Sequence, residues 1–167
     1  MKLNNLEDLF VEQLRDLYSA ETQILDALPE MVEAASSDQL RKAFKTHLEE
    51  TRQQKNRLEK IFETLGKKPG GETCEGMKGL LKEGSAMLEK EGDRNVIDAG
   101  IIASAQRVEH YEISGYGTAR TYAERLGYDD AAELLDETLD EESSANEKLT
   151  KIAESTVNKK AGAQASA

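Results

Sequence analysis

Between Ile102 and Tyr116 the chain reads IASAQRVEHYEISGY, a helical segment whose inward stripe carries charge. Ile102, Ala105, Glu109, Glu112, Tyr116, Ala119 and Ala123 follow one another at alternating steps of three and four. That spacing puts them on one helix face, with two carboxylates in a row that should be apolar. A carboxylate facing a core is costly unless it is protonated, paired or bound to a cation. Any fold for this chain must therefore bring compensation to Glu109 and Glu112.

The remainder of the chain offers helices that can do so. Asn4 or Asn5 can cap a first helix reaching Ala35, whose stripe of Leu3, Leu6, Phe10, Leu14, Leu17, Ile24, Leu28 and Met31 is interrupted only by Glu21. Pro29 falls inside this pattern and predicts a kink or short break. A second helix over residues 38–65 has the seam Phe44, His47, Thr51, Gln54, Leu58, Ile61 and Leu65, with Glu50 bordering it. Gly66 and a Gly/Pro-rich loop end it, and a shorter helix spans 75–90. The third long helix covers 93–126, and its Gly100, Gly115 and Gly117 permit close packing. Gly127 closes it, and a last helix over 129–157 has the seam Leu134 or Leu135, Thr138, Glu141, Ala145, Leu149 and Ile152.

Two short turns give two antiparallel helix pairs, and the long connection from 65 to 93 can cross the bundle. The predicted fold is all-α: a ferritin-like four-helix bundle with one long crossover carrying an extra short helix. Residues 1–157 form this bundle as one domain, and 158–167 form a disordered tail. Depth along the helices then aligns the charges. Glu21 lies about 16 residues before the first turn and Glu50 about 13 after it, a difference in level of ~4–5 Å. Glu112 and Glu141 stand in the same relation to the second turn, again ~4–5 Å apart in level. Glu21, His47, Glu50, Glu109, Glu112 and Glu141 thus converge as candidate ligands of two divalent metal ions, with Glu50 and Glu112 as candidate bridges. Carboxylates with an imidazole suit iron first and manganese second.

Other residues bear on the site more weakly. His110 sits a quarter turn off the stripe, where it could face another helix or a partner subunit. Glu137 reads as a surface residue or as one supporting the ligands from behind, and Tyr116 as packing that could also hydrogen-bond inside the site. Cys74, the only cysteine, excludes an internal disulfide and reads as an exposed or half-exposed thiol. The net charge of −11 argues against nucleic acid and anionic membrane surfaces. No apolar run approaches the ~18 residues of a membrane span, and the first residues lack a signal-peptide core, so a cytoplasmic protein is expected.

The stretches "YSAE" (Tyr18–Glu21), "HLEET" (His47–Thr51), "AQRVEHYEI" (Ala105–Ile113) followed by "YGTA", "LGYDDAAELLDETLDEE" and a final "VNKK" are similar to the YciE/YciF stress-protein family over nearly the whole chain. The resemblance implies a rubrerythrin- and ferritin-like fold, a homodimer, a dimetal site and a role in bacterial stress response. It favours a dimer over an iron-storage shell. Ferritin-like proteins at large place Glu-x-x-His on two helices. Here His47 precedes Glu50, and Ser144 stands where a histidine would follow Glu141, so the site is richer in carboxylate. The expected function is a small oxidase or peroxide-consuming enzyme acting on oxygen or peroxide, with manganese-catalase-like dismutation as a variant. The alternative is a non-enzymatic stress-induced structural or binding bundle with a structural or vestigial metal site.

Overall fold

Helix ends are set by short polar side chains and by one left-handed glycine. In the computed structural model, which describes residues 2–163, Asn5 accepts from the backbone N–H of Asp8 and opens α1, Leu6–Ala34. Ser37 caps α2, Asp38–Thr64, and the Cys74 sulfur caps α3, Glu75–Leu88, by accepting from Met77 N–H. Asp93 accepts from the N–H groups of Asn95 and Val96 to open α4, Arg94–Leu126. Gly127 ends α4 at φ 75°, a left-handed conformation open to glycine, and Tyr128 N–H returns to the carbonyl of Ala123. The last long helix is α5, Asp129–Ile152.

Two sequence expectations need correction here. Of the kink or short break expected at Pro29, the break is absent, since α1 runs through it: Pro29 lies exposed, so the carbonyl left without a partner by its missing N–H can bind water. The chain also does not become a tail at 158. A π-helical turn, Ala153–Val157, leads into α6, Asn158–Ala163, with Ala153 and Val157 buried. The remainder of the expected tail, 164–167, lies outside the described residues.

The helix pairs are antiparallel as the turns require. On α1 and α4, Asp16 meets Tyr111 and Ser36 meets Asp98. On α2 and α5, Gln39 meets Thr156 and Arg57 meets Glu137. These crossings make α1 and α5 run opposite to α2 and α4, the one-crossover topology of ferritin-like bundles. Helix α3 lies outside the four, against α4 and α1. A Cβ on Gly115 would stand 2.8 Å from Leu17 Cδ2, which shows how closely α4 approaches α1, whereas Gly117 has room for one. Among the described residues no helix is long and apolar enough to cross a membrane.

Inside, two apolar cores occupy the two halves of the bundle. One gathers Phe10, Leu14, Leu17, Leu58, Phe62 and Leu135. The other gathers Ile24, Leu28, Leu40, Phe44, Ile102 and Leu149. Between them in sequence on every long helix fall the buried polar residues Glu21, His47, Thr51, Gln54, Glu109, Glu112, Thr138 and Glu142. At the far end, the buried Asp98 carboxylate accepts from Ser36 N–H (2.9 Å), Ser36 Oγ (2.7 Å) and Ser37 N–H (2.8 Å), tying α4 to the α1–α2 turn. Replacing Asp98 by Ala leaves three donors without an acceptor, and should lower unfolding free energy by about 1–3 kcal/mol in urea titration.

Candidate metal centre

Each long helix delivers an acidic or imidazole side chain to the layer between the two cores. Glu21 from α1, Glu109 and Glu112 from α4, and Glu142 from α5 are all buried, and His47 from α2 is 6% exposed. His47, Glu109, Glu112 and Glu142 each offer one ligand atom, and those four atoms lie within 4.8 Å of one another. His47 Nε2 is 3.6 Å from Glu109 Oε2 and 3.9 Å from Glu142 Oε2, while Nδ1 is 3.5 Å from Glu50 Oε2. Glu21 stands beside the group, its Oε1 accepting from the hydroxyl of the buried Tyr116.

The layer's electrostatics show a site short of positive charge. Burial pushes the Glu21 carboxyl up to about 8, against the opposing pull of the Tyr116 hydrogen bond and His47. Glu112 and Glu142 are pushed well above the usual carboxylate range, first by burial and then by neighbouring carboxylates. Burial lowers His47, but the Glu109 charge and the contact with Glu50 outweigh it and bring the imidazole to about 9. Glu50, half-buried, is lowered by His47 in spite of its own desolvation, with Lys148 assisting.

A cation fits this donor set. Both oxygens of Glu112 and of Glu142, Glu109 Oε2, Glu21 Oε2 and both His47 nitrogens are buried without a hydrogen-bond partner. Buried polar atoms in native proteins are almost always partnered, and here a cation or water is the partner that the geometry leaves room for. A divalent ion would satisfy several at once, and oxygen donors with one imidazole suit iron or manganese.

Of the six residues expected from sequence, the structure brings His47, Glu109 and Glu112 into the four-residue group and sets Glu21 and Glu50 at its edge. Glu141 is placed elsewhere. Its two oxygens accept from the Arg57 guanidinium at 2.8 Å each, and Gln54 donates to Oε2 at 3.0 Å. A planar guanidinium on α2 thus holds Glu141 in a bidentate pair at the bundle surface. Glu142, the next residue, takes the inward place. The sequence held a signal for it: Leu135, Thr138, Glu142, Ala145, Leu149 and Ile152 alternate strictly in threes and fours, which the row through Glu141 does not.

Three lesser expectations resolve as follows. His110 is exposed and turned away from the group. Glu137 is exposed and pairs with Arg57. Cys74 is buried rather than exposed, because it caps α3 and its sulfur lies 3.0 Å from the Tyr111 hydroxyl.

With this geometry in hand, comparison with known proteins places the chain. Residues 5–162 match the model of a domain of unknown function, DUF892. The chain belongs to the DUF892 family. It is 45% identical over 162 residues to protein YciF of Escherichia coli strain K12, covering 96% of this chain and 98% of that one. The crystal structure of the E. coli stress protein YciF superposes with a TM-score of 0.90 at 44% identity, covering 94% of this chain and 99% of the other. YcfI from Rhodopseudomonas palustris matches with a TM-score of 0.88 at 45% identity, covering 91% and 97%. The fold and family expected from the sequence are thereby shown.

The raised groups give a pH dependence in metal-free protein. Glu21 rises from 4.5 to about 8 and His47 from 6.5 to about 9, so the folded state holds more protons than the unfolded state in that range. Stability then falls as pH rises. With chelator present, the melting temperature should be highest near pH 5 and drop steadily toward pH 9. A melting temperature that rises over this range would contradict the assignment.

Proposed function

We propose that this DUF892 protein is a carboxylate-rich dimetal protein of the bacterial stress response, with iron as the favoured metal and manganese as the second choice, acting on oxygen or peroxide. The observation that carries the reading is the buried group of His47, Glu109, Glu112 and Glu142, whose ligand atoms converge within 4.8 Å with most acceptors unpartnered. The stress role rests on the relation to the E. coli stress protein. The homodimer implied by the family resemblance belongs to the same proposal.

Four residues would hold the ions at the centre, with Glu21 and Glu50 completing the set on either side. A redox-active pair there would supply the electrons for reducing a small oxidant. The chain's own contribution is positioning and exclusion. Tyr116 donates to Glu21 Oε1 and so leaves Oε2 free to turn toward the centre. Glu50, 3.5 Å from His47 Nδ1, would favour by its charge the ring orientation in which Nε2 faces Glu109 and Glu142. The apolar cores on both sides keep bulk water from the layer.

A second reading is a non-enzymatic bundle. It is favoured by the strongly raised Glu112 and Glu142, which can stay protonated and neutral without any ion. Elemental analysis of protein from metal-supplemented cells separates the two. Close to two iron or manganese ions per chain is expected on the first reading, and no tightly bound metal on the second. Glu142→Gln should lower that stoichiometry by at least half, whereas Glu141→Gln should leave it unchanged. Glu112→Ala should likewise reduce bound metal. Unchanged metal with a raised melting temperature in that variant would instead favour the non-enzymatic bundle.

A further inference from the structure

Two small cavities lie end to end beneath the crossover helix, and the inner one stops at the proposed metal ligands. The outer cavity, about 30 Å³, opens between α1, α3 and α4 beside Leu80, Leu88 and Ser104. The inner cavity, about 20 Å³, is walled by Ile24, Leu28, Phe44 and Val108, and its only polar walls are His47 and Glu109. Ala27, Met31, Leu81, Ala105 and Val108 line both, so the two are parted by side chains alone. Met31, unbranched and half-buried, is suited to swing between them.

A different approach reaches the same ligands from between α2 and α5. There a pocket of about 10 Å³ is bordered by His47, Glu50, Glu109 and Lys148, with Glu50 half-buried and Lys148 exposed. Charged or strongly hydrated species can keep polar partners on that side. Beneath α3, once past Glu30, Ser85 and Ser104 at the outer cavity, they would have to shed their water against apolar walls, a cost that an uncharged apolar molecule does not incur. Larger cavities lined by aliphatic side chains stay dry and accept xenon or other apolar guests, so a guest of that size here has to displace a flexible wall such as Met31.

We propose that the passage beneath α3 delivers dioxygen to the His47–Glu109 side of the centre, making dioxygen rather than peroxide the oxidant that this route selects. The inference rests on the metal-centre reading above for its functional meaning, but the passage itself does not need a metal. Helix α3 is then the roof of a gas route, and the crossover does more than connect the two hairpins.

Xenon is the probe. Crystals of the metal-free protein under xenon pressure should show the atom in the inner cavity, against Ile24, Ala105 and Val108. Ala105→Leu, which fills the shared wall, should abolish that density and leave metal stoichiometry unchanged. In iron-loaded protein the same change should slow oxidation by dioxygen about tenfold, equivalent to about 1.4 kcal/mol on the barrier. Oxidation by hydrogen peroxide should stay within about twofold of the parent rate. If Ala105→Leu does not fold, Ala27→Leu blocks the same wall from the half-buried face of α1. No xenon in the inner cavity overturns the proposal, as does equal slowing by both oxidants. A chain that binds xenon there yet takes up no metal overturns the functional reading instead, so the two failures are distinguishable.

Discussion

The cost of burying carboxylates organises this molecule. Four glutamates and a histidine lie in one layer across the middle of a bundle that is packed with apolar side chains on both sides. Desolvation drives Glu21, Glu112 and Glu142 toward their neutral forms, while His47 is held toward its charged form chiefly by Glu109 and Glu50. A layer of this kind cannot be left as it is without consequence: it takes up protons, or it takes up a cation. Both outcomes change the charge of the interior, so the stability of the bundle is tied to what occupies that layer.

The helices around the layer are built to keep it fixed. Asp98 binds the α1–α2 turn, Cys74 starts α3 against Tyr111, and Gly127 turns the chain sharply into α5. Each of these sits at a helix end, Asp98 and Gly127 away from the glutamates and Cys74 close enough to Glu112 to help raise it. The middle of the bundle is thereby free to carry residues that weaken it, as functional layers commonly do.

Much of this was legible in the sequence because helical periodicity is a strong signal over thirty residues. The long helices, the crossover and the stripe of Glu109, Glu112 and Tyr116 follow from spacing alone. Glu142 was legible only in the stricter alternation of its row, because an amphipathic helix admits two neighbouring phases and the pairing of Glu141 with Arg57, 84 residues away in sequence, is not written in spacing. Cys74 looked exposed because its surroundings are rich in Gly and Pro, yet burial of a loop residue depends on what packs over it, here Tyr111. The chain beyond Val157 looked like a tail because its residues are small and polar. Its helix is instead propagated from the buried turn before it.

The neighbouring fates of Glu141 and Glu142 have a mechanical meaning. A helix is a screw, and nothing in its own backbone says how far it should be turned about its axis. On α5 the two glutamates differ by about 100° of rotation, close to the angle that one residue subtends. By gripping one of them from outside, the α2 guanidinium acts as an index pin for the whole helix. The carboxylate that reaches the interior is set by a contact made at the rim.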